Sequence, residues 1–86
     1  MRIDKYLKVS RVIKRRTIAK DILDLGFVKI NDKVAKPSSE VKENDIIELT
    51  LGERRLSVKV IGLSEQTKKK EASSLFEVIA DEQISL

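Results

Sequence analysis

Residues 2–31 read RIDKYLKVSRVIKRRTIAKDILDLGFVKIN, and the hydrophobic period changes within this stretch from helical to extended. Residues 3–10 read as a short helix. At 100° per residue, Ile3, Tyr6, Leu7 and Ser10 fall on one arc, and Asp4, Lys5 and Lys8 on the opposite one. Asp4 sits in the first turn, where its charge suits the helix dipole, and Lys8 is its i+4 partner. Residues 11–15 connect. Residues 16–25 read as a second helix, with Ile18, Ala19, Ile22 and Leu25 as the buried face and Arg16, Lys20 and Asp24 across from them. Gly26 follows the last periodic residue, where a left-handed cap is expected. Residues 27–30 then read as a strand with Phe27 in the core, and Asn31-Asp32 as a hairpin turn.

Working outward, Val34-Ala35 answers that strand briefly, and residues 36–39 form a loop because Pro37 restricts Lys36 and donates no hydrogen bond. Glu43-Asn44-Asp45 is a second turn. Residues 46–51 and 56–61 are strands joined at Gly52-Glu53, with Leu56, Val58 and Val60 on one face and Ser57 and Lys59 on the other. Residues 64–74 are polar and read as a loop with a short helical turn. Residues 75–80 read as a terminal strand, and the last six residues are expected to fray. Helix, helix, then strands argues an α+β domain, two N-terminal helices on a small, mostly antiparallel sheet.

Charge is segregated along the chain. Residues 1–20 hold eight Lys and Arg against Asp4 alone, a net +7, while the remaining 66 residues sum to −3. A pole this basic implies a polyanionic partner, nucleic acid first. Arg11, Lys14, Arg15 and Arg16 crowd the start of the second helix, where each cation opposes the dipole by roughly 0.3–1 kcal/mol. Such crowding is locally unfavourable. It is matched by what arginine does beside free backbone N–H groups, which is to hold phosphate. A solvated charged face is the plainer reading of scattered lysines, and it applies to Lys68-Lys69-Lys70 unless the fold brings that run to the basic pole. For Asp4 the plainer reading is structural, as partner to the dipole and to Lys8 or a nearby arginine. Tyr6 falls on the apolar arc, so packing outweighs base stacking, and three aromatics in all do not make a stacking platform.

The chain has no cysteine and no histidine, so no disulfide and no thiolate or imidazole metal site is expected. No glycine-rich phosphate loop and no paired acid–base spacing is present. The reading is a non-catalytic protein with no metal and no cofactor. No apolar run exceeds three residues, which excludes a membrane-spanning helix. With 86 residues one small domain fits and two do not.

A family resemblance rests on Arg2-Ile3-Asp4-Lys5-Tyr6-Leu7, then Arg16, Ala19 and Ile22-Leu23, then residues 26–31 (GFVKIN), Val34, Lys36-Pro37-Ser38, Val41 and Asp45-Ile46-Ile47. Over residues 1–50 the chain resembles the RNA-binding domain named after ribosomal protein S-four. The resemblance implies an αL motif, two helices and a small sheet presenting a basic surface to structured RNA. Residues 1–62 would form that domain including its sheet, and residues 63–86 a C-terminal extension packing on the same domain. The whole chain is similar to small stand-alone members, the ribosome-associated quality-control factors of the RqcP type, and more distantly to heat-shock protein fifteen.

For such proteins the resemblance implies binding to large ribosomal subunits that carry peptidyl-tRNA. The contacts would be to large-subunit rRNA and tRNA, in support of template-free C-terminal tailing alongside a factor that recruits alanyl-tRNA. A cytoplasmic monomer is implied. The RNA contacts would fall on Arg2, Lys8, Arg11, Arg15, Arg16 and Lys20, with Asp4, Lys5 and Lys14 as secondary candidates for contact or for orienting an arginine. A heat-shock-type subunit recycling factor is the alternative. A membrane-surface or protein-interaction module ranks below both, because the charged arc of the first helix lacks a bulky apolar edge. Two departures stand out. Arg15 replaces the Ser or Thr the family often places before the second helix, and Asn31-Asp32 and Asn44-Asp45 replace turns that usually contain glycine.

Overall fold

Two short helices lie side by side at the N-terminal end of the computed structural model, which describes residues 1–63 and 75–83. They are α1 (Ile3–Val9) and α2 (Arg16–Asp24), and five strands follow: β1 (Val28–Ile30), β2 (Lys33–Val34), β3 (Ile46–Leu51), β4 (Arg54–Val60) and β5 (Phe76–Gln83). The strands form one antiparallel sheet in the order β2-β1-β3-β4-β5. This is the α+β architecture expected from the order of elements. The Lys68-Lys69-Lys70 run and the polar segment 64–74 lie outside the described residues.

The core forms where the apolar arc of α1 meets the inner face of the sheet. Ile3, Tyr6, Leu7 and Ser10 are fully buried, as their spacing predicts. They join Val28 of β1, Ile47 and Leu49 of β3, and Val58 and Val60 of β4 in one cluster. Val28 stands opposite Leu49, and Ile47 opposite Val58, so the inner face is built from direct cross-strand pairs. Truncating one such side chain to alanine typically costs about 2–5 kcal/mol, a large share of the stability of a domain this small.

The turns follow the sequence closely. Asn31 and Asp32 both take positive φ, 50° and 69°, which is what a two-residue hairpin between Ile30 and Lys33 demands. Asn31 also locks the hairpin to β3. Its Nδ2 donates to Asp45 Oδ1 at 3.0 Å, and its Oδ1 accepts the N–H of Ile46 at 2.9 Å. Asn44 takes φ 73° in the second turn, so asparagine does there what glycine does elsewhere. Gly26 closes α2 at φ 79°, with its own N–H on the Leu23 carbonyl and that of Phe27 on the Ile22 carbonyl.

Three expectations are corrected. The buried side of α2 is the line Ala19–Leu23, with Ile22 half-buried, whereas Ile18 and Leu25 are exposed. A helix lying at the edge of a small domain is covered on only part of its apolar arc, and here the small Ala19 and the Leu23 one turn later are what the core receives. Phe27 is exposed. The strand begins at Val28, which takes the inner face, and alternation turns Phe27 outward. Of the last six residues, Asp81, Glu82 and Gln83 continue β5 opposite Leu56, Arg55 and Arg54, and Arg54 Nε donates to Asp81 Oδ1 at 2.6 Å.

Tyr6 ties α1 to the C-terminal strand. Its hydroxyl donates to the Leu75 carbonyl at 2.6 Å, and the N–H groups of Ile61 and Gly62 converge on the same oxygen. Burial pushes the phenol up to about 12, because the phenolate would lose its hydration. Tyr6→Phe is expected to destabilise the protein by roughly 1 kcal/mol near neutral pH, since the carbonyl keeps its backbone donors. The unfolded chain ionises at pH 10 while the folded one holds its proton to about 12, so native stability falls between those values. Thermal melts at stepped alkaline pH should therefore show wild type losing its advantage over Tyr6→Phe between pH 10 and 12. A constant difference across that window would contradict the tie.

Candidate nucleic-acid interface

The N-terminal end of α1 is held from outside the helix. The Ile3 N–H donates to the Ser39 carbonyl at 2.8 Å, the Val41 N–H to the Met1 carbonyl at 2.9 Å, and the backbones of Arg2 and Glu40 pair as an isolated antiparallel bridge. The 36–40 loop is itself a tight turn, with the Ser39 hydroxyl accepting the Lys36 N–H at 2.9 Å. Arg2 is thus the flanking residue of a helix whose backbone is fixed on both sides, and its guanidinium starts from a set position.

Asp4 is the centre of the site. Helical spacing puts it on the solvent arc with Lys8 or a nearby arginine as partner; it is instead only 3% exposed, and its partners are arginines. Its Oδ1 accepts the Lys5 N–H at 2.8 Å, which satisfies one of the free donors of the first helical turn. Its Oδ2 accepts Arg2 Nη2 at 3.2 Å and Arg16 Nη2 at 3.5 Å. Arginines from either side cover the carboxylate, and neither involves Lys8. Arg16 stays clear of the core, as its place on the arc opposite Ile18 predicts, and adds a contact to Asp4 that the periodicity does not show. Its side chain remains half-exposed while one nitrogen faces Asp4. Two guanidiniums thus share one carboxylate oxygen while both side chains stay half-exposed, which leaves them accessible to phosphate oxygens.

The other predicted contacts lie around this pair. Arg11, Lys14, Arg15 and Lys20 are exposed, Lys5 and Lys8 half-exposed, and Arg11, Lys14, Arg15, Lys20 and Lys8 make no ion pair among the described residues. Arg15 precedes α2 in an extended conformation with no side-chain cap, and the first turn of α2 contains no acid, so its N–H groups stay open toward an anion. Arg11 takes φ 66°. It follows α1 in the position that Gly26 fills after α2, with its N–H on the Lys8 carbonyl at 3.1 Å. An arginine there is strained by roughly 1–2 kcal/mol relative to glycine.

The sequence reading missed Lys36. It is exposed and precedes Pro37, whose carbonyl faces the Asp4 N–H at 3.4 Å, so the fold carries this lysine to the N-terminal end of α1. No periodicity signals this. It follows from the docking of the 36–40 loop.

Two variants separate charge from geometry. Asp4→Ala makes the pole more positive and frees both arginines. If net charge governs RNA binding the variant binds more tightly, and if the held pair governs it the variant binds more weakly. The weaker binding is expected, about tenfold by filter binding, with a stability loss of about 1 kcal/mol. Arg11→Gly relieves the strained backbone, so its melting temperature should hold or rise, by up to about 1 kcal/mol in stability, while RNA binding falls. A variant both less stable and undiminished in binding would refute the assignment of Arg11.

Comparison with known proteins agrees with this architecture. The S4 domain matches residues 1–47. The RQC P-site tRNA stabilizing factor of Streptococcus pneumoniae is 46% identical over 84 residues, covering 98% of this chain and 96% of that protein. The protein of the same name from Halalkalibacterium halodurans is 45% identical over 85 residues, covering 99% and 97%. Among solved structures, heat shock protein 15 of Vibrio cholerae, a trimer, superposes with a TM-score of 0.83 at 31% identity, covering 93% of this chain and 82% of that one.

Proposed function

The chain belongs to the S4-domain family, among the RQC P-site tRNA stabilizing factors, and from that premise we propose that it is a cytoplasmic, non-enzymatic RNA-binding factor of ribosome-associated quality control. It binds large ribosomal subunits that carry peptidyl-tRNA and touches both rRNA and tRNA. In this role it acts as a monomer and steadies the tRNA while a partner that recruits alanyl-tRNA extends the stalled chain without a template. One observation carries the reading: Arg2 and Arg16 both meet the buried carboxylate of Asp4, in a pole where Arg11, Lys14, Arg15 and Lys20 are exposed cations. Arg15, Arg11, Lys8 and Lys20 extend the contact, with Lys14, Lys5 and Lys36 at its margin.

Subunit recycling of the heat-shock type is the second reading, favoured by the close superposition on heat shock protein 15. It ranks lower because the quality-control relatives match nearly end to end at higher identity.

The test is co-sedimentation with purified large subunits, loaded with peptidyl-tRNA or empty. The loaded subunits should bind more tightly. Arg16→Ala is expected to weaken that binding about tenfold to a hundredfold, the worth of one charge-assisted hydrogen bond of roughly 1.5–3 kcal/mol. Arg16→Lys should restore part of it, since lysine keeps the charge and loses the fork. Arg2 still covers Asp4 in these variants, so melting temperatures should change little. Lys59→Ala, on the strand β4 opposite Glu77, is the control and should bind as wild type. With about five phosphate contacts, the log–log salt slope should be about −3.5 to −4.5. Equal binding to empty and loaded subunits would remove the tRNA from the proposal. Full binding by a folded Arg16→Ala protein would remove the arginine pair.

A further inference from the structure

Ser39 joins Lys36 to the start of α1 through three of its atoms. Its hydroxyl accepts the Lys36 N–H at 2.9 Å, its own N–H donates to the Lys36 carbonyl at 2.9 Å, and its carbonyl accepts the Ile3 N–H at 2.8 Å. The turn 36–39 is thus closed on itself and bonded to the helix one residue before Asp4. Pro37 stiffens it from inside, and the Pro37 carbonyl faces the Asp4 N–H at 3.4 Å.

These contacts divide into two kinds. The first N–H groups of a helix have no partner within it. In α1 the loop carbonyls meet those of Ile3 and Asp4, and the Asp4 carboxylate meets that of Lys5. Capping therefore needs only the backbone of the loop. The Ser39 hydroxyl is turned the other way, onto Lys36, and adds nothing to the cap. Lys36 itself is exposed and makes no ion pair among the described residues. Glu40, the one acid of the 36–40 loop, meets the Met1 ammonium at 3.0 Å, so it leaves the lysine charge uncompensated. Lysine is a point charge on a flexible stem, and fixing its backbone at both the N–H and the carbonyl narrows the region its ammonium sweeps.

We infer that the 36–40 loop is a second arm of the RNA contact. Lys36 meets a backbone phosphate beside those met by Arg2 and Arg16, and Ser39 is the positioning residue that holds Lys36 for it. The inference rests on the reading that this pole binds RNA. Lys36 is then a contact in its own right, carried by the loop that also braces Asp4.

A double-mutant cycle tests both roles, read by co-sedimentation of the full chain with peptidyl-tRNA-loaded large subunits across a salt series. Lys36→Ala should weaken binding about fivefold and make the log–log salt slope shallower by about 0.7–0.9, the share of one phosphate. Ser39→Ala should weaken binding about threefold, and Ser39→Thr, which keeps the hydroxyl, should restore it. In the Lys36→Ala background Ser39→Ala should add no further loss, whereas its effect should multiply with that of Arg16→Ala. Lys33→Ala removes an exposed lysine from β2 and should bind as wild type. Ser39→Ala keeps its two backbone hydrogen bonds, so it should stay folded. If it does not, Ser39→Cys, a weaker acceptor of similar shape, takes its place in the cycle. Full binding by Lys36→Ala, an unchanged salt slope, a Ser39 effect that persists without Lys36, or an equal loss in Lys33→Ala would overturn the inference. Full binding by Arg16→Ala would overturn the RNA reading beneath it, so the two failures are told apart.

Discussion

A buried carboxylate among cations joins the parts of this protein that make its surface. Asp4 satisfies the first turn of α1 through Lys5 N–H, its own N–H faces the Pro37 carbonyl of the 36–40 loop, and its Oδ2 receives Arg2 and Arg16. α1, α2 and the loop are thereby registered against one another at a single residue, the loop through its backbone and α2 through its side chain. Burying a charge is costly unless it is paired and hydrogen-bonded. Here three donors surround it, so the carboxylate becomes a fixed point about which two guanidiniums are arranged.

Several locally unfavourable choices collect at the same pole. Arg11 occupies a left-handed conformation that glycine would adopt without strain, Arg15 precedes α2 without capping it, and cations crowd the positive end of that helix. Elsewhere the chain obeys local rules, with Asn31-Asp32, Asn44 and Gly52 in the turns that suit them and clean alternation on β4. Strain confined to one surface, in a domain with little stability to spare, is consistent with a surface kept for binding.

The molecule is also two-sided. Its basic pole covers the exposed parts of α1, the connection and α2 as far as Lys20. The uncovered Ile18, Leu25, Phe27 and Val34 run from α2 to the first hairpin, among charges of both signs. Because α2 is only nine residues long, both surfaces sit close together on it, with Arg16 and Lys20 to one side and Ile18 and Leu25 to another.

The elements, their order and the sign of the surface follow from local chemistry along the chain. Period and punctuation are local properties. The arc Ile3–Tyr6–Leu7, the break at Gly26, the positive-φ asparagines and the alternation Leu56–Val58–Val60 each act within a few residues, and the charge of residues 1–20 needs no fold to be counted. Which apolar residues are covered, and which distant charges meet, depends on how the elements pack. Ile18, Leu25 and Phe27 are as apolar as the residues that are buried, and what separates them is where α1 and the sheet make contact with α2. Asp4 pairs with its neighbour Arg2 as a nearby arginine allows, but its second partner is Arg16, twelve positions away, and Lys36 reaches the N-terminal end of α1 through a docked loop. The last two pairings join residues far apart in the chain, so no local period encodes them and packing alone selects them.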